Sequence, residues 1–208
     1  RQPTIYNGIV YTGSSKGNSL LMLDAKTGRE IKSIKLGKPI TNASPVIEGS
    51  TLYVAAGNTL YAMDPSTGQN YWSVFLDEMI SSTPLATKNL IYVNSVDKKG
   101  DGALYALNTK TGKVEWKIPG ITTNYDQPAL SEGILFITDQ IYLPRKNPKG
   151  EFFYALDANT GKVLWKMNEG EWSYGIPVVS EGVIYESSST DLASTLKAIE
   201  VKTGEVLW

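Results

Sequence analysis

A five-residue motif that occurs five times along the chain constrains its fold more than any other feature. Each copy reads Asp, Asn or Glu, then two variable residues, then Thr-Gly. The closing glycines lie 40, 44, 49 and 43 residues apart by residue number: Gly28, Gly68, Gly112, Gly161 and Gly204. A period in this range is typical of repeat architectures, in which similar structural units follow one another along the chain.

Each motif is expected to form a tight turn between two strands. An Asp or Asn side chain can accept hydrogen bonds from backbone N–H groups two or three residues further on, and glycine adopts a positive φ without steric cost. A short apolar, aromatic-rich segment precedes each turn, and a second segment that ends in Trp follows four of the five turns. Each copy is therefore predicted to be a β-hairpin.

Large and small residues recur at fixed positions across these hairpins. In four copies a Trp follows an Ala by ten residues: Ala62 and Trp72, Ala106 and Trp116, Ala155 and Trp165, and Ala198 and Trp208. This constancy predicts a structural role, in which each indole packs over a position that must stay small and contributes about 3–5 kcal/mol when buried. The first copy has Met22 and Lys32 instead, so its edge either closes differently or lacks the usual neighbour.

A second set of markers precedes each hairpin. A proline opens a short strand, a turn pair follows, and a run of β-branched and aromatic residues comes next; the prolines are Pro3, Pro45, Pro84, Pro128 and Pro177. Proline is tolerated there because the first residue of a strand need not donate to the ladder. Each unit is thus predicted to be an all-β, four-stranded antiparallel meander without helices. We predict one domain over residues 1–208, with units at about 3–38, 45–76, 84–118, 128–168 and 177–208.

Composition excludes several classes of chemistry. The chain has no Cys and no His, which removes disulfides, thiol nucleophiles, catalytic arrangements that need His, and the usual zinc and haem sites. Its 20 basic and 21 acidic residues give a net charge of −1, which indicates neither nucleic-acid nor membrane-surface binding. No apolar stretch approaches the roughly eighteen residues that a membrane span needs.

The units resemble the PQQ-type repeat of quinoprotein-like β-propellers over essentially the whole chain. The similarity rests on the proline-led first strand, the aromatic second strand and the Tyr-Ala-Leu-Asp-x-x-Thr-Gly run that leads to Trp, and Leu104–Trp116 is a clear copy. The resemblance implies a tryptophan-docked propeller whose innermost strands line a central channel. It also implies that each Trp of the set above wedges against the adjacent blade, beside its small Ala partner.

The number of blades is left open. Tryptophan-docked members of this family usually have seven or eight blades, whereas this chain offers five units. It is expected to be either a closed five-bladed ring or an arc of a larger propeller. The abrupt end at Trp208, with no strand to clasp the first unit, favours the arc, and the start at Arg1 rather than Met indicates processing or trimming.

The resemblance also leaves two functions open. Some relatives are dehydrogenases that hold pyrroloquinoline quinone and calcium, and others are scaffolds without a cofactor. The dehydrogenases carry adjacent cysteines against the quinone, but this chain has no Cys and no segment that matches their calcium ligands. We predict a non-enzymatic scaffold outside the cytoplasm that binds a protein or glycan partner and needs no cofactor or metal. The alternative is a quinone-dependent dehydrogenase or a fragment of one.

The loops that enter the innermost strands supply the candidate binding residues. Aromatic and polar residues on loops held by a rigid scaffold are the usual material of binding hot spots. The predicted set is Asn124, Tyr125, Asp126, Trp172 and Tyr174, of which Trp172 and Tyr174 could instead only cap the core. Another such loop contains Ser81 and Ser82, and the nearby carboxylates Asp77 and Glu78 are interpreted as solvated rather than catalytic.

Overall fold

The computed structural model describes residues 2–14, 17–40, 43–123, 127–139, 152–168, 177–189 and 194–208. All regular structure in these ranges is β-strand, arranged in antiparallel sheets that follow one another along the chain. The prediction of an all-β protein is therefore confirmed. These residues contain no helix of the length and apolarity needed to cross a membrane.

The five sheets are named blades 1 to 5 in chain order. Blade 1 contains β1 (Thr4–Tyr6), β2 (Ile9–Gly13), β3 (Ser19–Asp24) and β4 (Glu30–Lys35). Blade 2 contains β5 (Val46–Glu48), β6 (Thr51–Ala56), β7 (Thr59–Met63) and β8 (Asn70–Phe75). Blade 3 contains β9 (Met79–Ile80), β10 (Leu85–Ala86), β11 (Leu90–Val96), β12 (Gly102–Asn108) and β13 (Val114–Pro119). Blade 4 contains β14 (Ala129–Ser131), β15 (Ile134–Asp139), β16 (Phe152–Asp157) and β17 (Val163–Asn168). Blade 5 contains β18 (Val178–Ser180), β19 (Val183–Ser189) and β20 (Ser194–Glu200).

Blades 1 to 4 contain the predicted four-stranded meander. Strands pair in chain order within each blade, and the short extra strand β9 pairs with β11. The first strands of neighbouring blades lie side by side, β1 beside β5, β5 beside β10 and β14 beside β18. Because a meander reverses direction at every turn, its first and third turns lie on one face of the protein, which we call the turn face. The second turns and the connections between blades lie on the opposite face, the connection face.

The sheet of blade 5 contains three strands. The segment that follows forms a bridge between Ile199 and Val206, with backbone hydrogen bonds that join Ala198 to Leu207 and Trp208. In blades 2 to 4 the Trp of this segment packs on the next blade, whereas the side chain of Trp208 is 64% exposed. The described sheets do not close into a ring, which agrees with an arc of a larger propeller.

The hydrophobic core lies between the blades rather than within them. Both faces of the central strands are buried, so successive side chains of one strand enter two different clusters. Leu52 and Val54 of β6 pack with blade 1, whereas Tyr53 and Ala55 pack with blade 3. The same alternation continues through the clusters between blades 3 and 4 and between blades 4 and 5. Each blade is therefore stabilised mainly by its neighbours.

The repeated motif forms the turn that its sequence predicts. Asp64 Oδ1 accepts hydrogen bonds from the N–H groups of Ser66 at 2.9 Å and Thr67 at 2.7 Å, and Gly68 follows with φ of 69°. The other copies make corresponding bonds, with Glu200 accepting from the N–H of Thr203 at 2.6 Å in the last. Hydrogen bonds from the Thr of each motif lower the pKa of the acidic members: Asp24, Asp64, Asp157 and Glu200.

A tryptophan in the fourth strand joins each of blades 2, 3 and 4 to the next blade. Trp72 Nε1 donates a hydrogen bond to the carbonyl of Thr109 at 2.9 Å, and a β-carbon placed on Gly112 would lie 2.6 Å from Cε3 of the indole. The corresponding contacts of Trp116 are with Ala158 and Gly161, and those of Trp165 are with Val201 and Gly204. The motif glycine is thus required both for its positive φ and for the space that the indole occupies.

The alanine and an aromatic residue of the second strand complete this contact. Ala62, Ala106 and Ala155 lie opposite Trp72, Trp116 and Trp165 in the third strands and are fully buried. A ring of the second strand packs on each indole, for example Tyr92 on Trp116 with centroids 5.8 Å apart. Burial, and secondly the charge of Asp157, raise the pKa of Tyr92 to about 12, so its hydroxyl stays protonated and donates to Ala158 O at 3.1 Å.

Blade 1 closes onto blade 2 with other side chains, which is the first of the two outcomes that its sequence left open. Lys32 Nζ donates to the carbonyl of Thr67 at 2.6 Å, and the Tyr11 hydroxyl donates to that of Pro65 at 2.7 Å. Ile34 and Met22 occupy the space over Gly68 that an indole occupies at the later blades. A lysine and two apolar side chains therefore replace one tryptophan, whereas Tyr11 is the second-strand ring that blades 2 and 3 also have.

Replacing Gly112 with Ala tests whether the motif glycine is needed for space as well as for φ. Gly120→Ala is the matched control, because Gly120 also has positive φ but no atom within 4 Å of a β-carbon. In both variants, backbone strain should lower the free energy of unfolding by roughly 1–2 kcal/mol. Gly112→Ala should lower it by about 1–3 kcal/mol more, because the added methyl group displaces Trp72. Denaturant unfolding measures both losses, and equal losses would contradict the docking contact.

Candidate functional site

The predicted binding residues Asn124, Tyr125, Asp126, Trp172 and Tyr174 lie outside the described residues. Their role in binding therefore stays a prediction. The structure does describe the framework beneath the connection face, which consists of the ends of the second strands and the starts of the connections between blades.

Ser81 and Ser82 belong to this framework rather than to a presented surface. They are 2% and 1% exposed, respectively. The Ser81 hydroxyl donates to the carbonyl of Thr123 at 2.5 Å, and its backbone N–H donates to that of Asn94 at 3.0 Å. The connection that enters blade 3 is consequently bonded to the connection that leaves it.

A layer of buried polar residues extends this bonding into blade 4. The Asn94 amide, which is fully buried, donates to the carbonyl of Ile121 at 3.4 Å. Asp139 accepts hydrogen bonds from the backbone N–H of Thr122 at 3.0 Å and from its hydroxyl at 3.3 Å. We call Ser81, Ser82, Asn94, Thr122 and Asp139 the buried polar layer. Burial, and then the charge of Asp139, raise the pKa of Tyr154 on the neighbouring strand.

Sequence reasoning missed the buried polar layer, although a signal for it exists. The apolar runs of the second strands in blades 3 and 4 end in the polar pairs Asn94-Ser95 and Thr138-Asp139. The corresponding pair in blade 2 is Ala55-Ala56. Buried polar groups in proteins usually have hydrogen-bond partners. Here Asn94 donates to the carbonyl of Ile121 and Asp139 accepts from the N–H of Thr122, both in the connection that enters blade 4, whereas Ser95 donates to Glu78.

The carboxylates Asp77 and Glu78 are bonded to blade 3 rather than merely solvated. Lys117 Nζ lies 2.7 Å from Asp77 Oδ2, and the Tyr105 hydroxyl lies 3.3 Å from both carboxylates. The Ser95 hydroxyl donates to Glu78 at 2.7 Å. The hydrogen bond from Lys117 lowers the pKa of Asp77. An ionised carboxylate held in this way is poorly suited to act as a general acid. We therefore interpret the contacts of Asp77 and Glu78 as structural, because they attach the connection that enters blade 3 to the strands of that blade.

The sequence and the described residues give no support for a bound quinone and calcium. The chain has no Cys that could lie against a quinone. In the part of the chain that the structure describes, no three acidic, His or Cys side chains come together as ligands for a metal ion. No step in the chemistry of this protein is therefore assigned to a quinone.

Comparison with known proteins identifies the family. The family model described as "Outer membrane protein assembly factor BamB", which is built on PQQ-type repeats, matches residues 16–144 and 121–208. The chain belongs to this family. It is also 30% identical over 219 residues to the tetrathionate hydrolase of Acidithiobacillus ferrooxidans, a match that covers 98% of this chain and 40% of the hydrolase.

Solved structures show the same β-propeller fold. BamB from Moraxella catarrhalis superposes with a TM-score of 0.70 at 20% identity, over 97% of this chain and 60% of BamB. The quinohemoprotein alcohol dehydrogenase ADHIIG from Pseudomonas putida superposes with a TM-score of 0.74 at 16% identity, over 99% of this chain and 41% of the dehydrogenase. The chain thus spans about half the length of the proteins that it resembles.

Ser81→Ala and Ser82→Ala form a matched pair that tests the buried polar layer. The two residues are adjacent and equally buried, but the Ser82 hydroxyl has no hydrogen-bond partner among the described residues. Loss of the bond to Thr123 should cost Ser81→Ala about 1 kcal/mol, whereas Ser82→Ala should be neutral or stabilising. Chemical unfolding measures the difference, and a larger loss for Ser82→Ala would show that the Ser81 bond does not hold the connections.

Proposed function

We propose that this chain is a non-enzymatic scaffold that binds a protein partner through its connection face, outside the cytoplasm. The observation that carries the proposal is the buried polar layer. Its hydrogen bonds join side chains to backbone groups at the bases of the connections: the Ser81 hydroxyl donates to the carbonyl of Thr123, and Asp139 accepts from the N–H of Thr122. The bases of the connections that enter blades 3 and 4 are bonded in this way.

Fixed loop bases favour binding for a physical reason. Association costs free energy when loops and side chains become ordered at an interface, and a scaffold that orders them beforehand reduces that cost. The proposed contact residues include Trp172 and Tyr125, and large aromatic side chains are enriched among the residues that dominate interface energies. These residues lie on the two connections that enter blades 4 and 5.

The comparisons support a protein partner and a location outside the cytoplasm. The matching family model is described as an outer membrane protein assembly factor, and proteins of that description act beyond the inner membrane. The net charge of −1 supplies no attraction for nucleic acid. The alternative, a quinone-dependent dehydrogenase, is supported by the structural likeness to ADHIIG, but the chain lacks the cysteines of that class.

Site-specific photocrosslinking in the cells that make the protein tests the proposal. A photoreactive amino acid is placed at Tyr125, at Trp172 and, as a control, at Lys26, which lies in a motif turn on the turn face. Crosslinks from Tyr125 and Trp172 should yield the same partner protein, and Lys26 should yield none of it. Crosslinks from all three positions alike, or from neither loop, would overturn the proposal.

A titration of the purified protein distinguishes the scaffold from the alternative, a quinone-dependent dehydrogenase. Tryptophan fluorescence is followed as pyrroloquinoline quinone is added with calcium. The scaffold proposal expects no saturable quenching and no dye-linked oxidation of alcohols. Saturable quenching accompanied by such oxidation would establish the dehydrogenase instead.

A further inference from the structure

A groove on the turn face between blades 2 and 3 has no part in the function proposed above. It is open to solvent and has a volume of about 350 Å³. One wall comes from blade 2, through the turn at Glu48 and the start of β8 with Tyr71 and Trp72. The other wall comes from two turns of blade 3, which carry Lys88 and Lys110. The groove therefore lies on the opposite face from the proposed protein-binding loops.

The floor of the groove is aromatic and its hydrogen-bonding groups are already used. Trp72 Nε1 and the Tyr53 hydroxyl both point to the carbonyl of Thr109, and the two rings lie with centroids 6.0 Å apart. The Tyr71 ring is 53% exposed and is held by a hydrogen bond from its hydroxyl to Asp64 at 2.9 Å. A ligand would meet ring surfaces rather than hydrogen-bond donors on this floor.

Charged groups at the rim are available to a ligand. The carboxylate of Glu48 and the ammonium groups of Lys88 and Lys110 form no ion pair or side-chain hydrogen bond with any described residue. Lys88 and Lys110 lie in exposed turns. Among the residues that line the groove, two ammonium groups outnumber one carboxylate, which favours an anionic group beside the two lysines. The Asp64 carboxylate lies next to the groove, where it accepts the hydrogen bond of Tyr71.

This combination occurs only between blades 2 and 3 of the repeat. In the next groove, the positions of Tyr71, Lys88 and Lys110 are occupied by Glu115, Glu132 and Asn159. At the groove between blades 4 and 5, Leu164 and Glu181 replace Tyr71 and Lys88. The first turns differ in conformation, because Glu132 and Glu181 have positive φ and Lys88 does not. The side chains of Lys88 and Lys110 are exposed and form no hydrogen bond with the described residues of their turns.

We propose that this groove binds a monoanionic sugar acid. The apolar face of the sugar ring packs on Tyr71, its carboxylate lies between Lys88 and Lys110, and its hydroxyl groups donate to Glu48. The volume suits one ring rather than a long chain, since ligand sites of about 300–1,000 Å³ hold single small molecules. A mixed rim of both signs also fits a hydroxylated acid better than a polyanion.

Binding of D-glucuronate tests the proposal, with D-glucose and acetate as the comparison probes. Because Trp72 lines the groove, tryptophan fluorescence or calorimetry can follow the titration of the purified protein. Glucuronate should bind saturably, and glucose and acetate should each bind at least about tenfold more weakly, which is about 1.4 kcal/mol. If glucose bound as tightly as glucuronate, the lysines would not contribute to binding. If acetate bound as tightly as glucuronate, the packing of the sugar ring on Tyr71 would not contribute.

Two substitutions that introduce the residues found at the equivalent positions of blade 4 provide a second test of the proposal. Lys88→Glu and Lys110→Asn place the residues of blade 4 in blade 3, so the fold is expected to be kept, which the melting temperature checks. Each should weaken glucuronate binding by about tenfold or more, and Lys26→Asn, the matched change in blade 1, should have no effect. Unchanged affinity in Lys88→Glu, or no saturable binding to the unmodified protein, would overturn the proposal. Neither result bears on the protein-binding loops of the opposite face.

Discussion

The contact between a tryptophan of one blade and the glycine turn of the next is the interaction on which the rest of the structure depends. The blades bury both faces of their central strands, and the core clusters lie between blades. The position of each blade against its neighbour is therefore what creates the core. Trp116 fixes that position by contacting Gly161 and by donating to the carbonyl of Ala158. The first blade meets the same need with Lys32, Met22 and Ile34, so the constraint is satisfied by different chemistry.

Sequence predicted the features whose causes are local or strictly periodic. The turn at Asp64–Gly68 follows from side-chain and backbone chemistry within five residues, and the pairing of Ala106 with Trp116 follows from a constant spacing. Features that depend on contacts with a neighbouring blade could not be predicted from the sequence. The contact of Ile34 with Gly68 and the burial of Ser81 both depend on what packs against them. The candidate binding loops remain a prediction, because their residues lie outside the described part of the chain.

The repeat supplies a frame, and departures from it supply the candidates for function. Asn94 and Asp139 stand where blade 2 has alanines, and they are bonded to the connection that enters blade 4, which carries the proposed contact residue Tyr125. Lys88 stands where blades 4 and 5 have glutamate, and this difference is one basis for the proposal that the groove between blades 2 and 3 binds an anion. The two proposals use opposite faces of the protein, which would allow a partner and a small ligand to be bound together.

A double-mutant cycle between Trp116→Ala and Gly161→Ala measures the central contact most directly. Unfolding free energies are determined for the unmodified protein, both single variants and the double variant. If the indole lies on the glycine, removing it relieves the clash of the added methyl group, and the double variant should lose less than the sum of the single losses by about 0.5–3 kcal/mol. Losses that add to within about 0.3–0.5 kcal/mol would show that the two sites are independent, and the docking account would then be wrong.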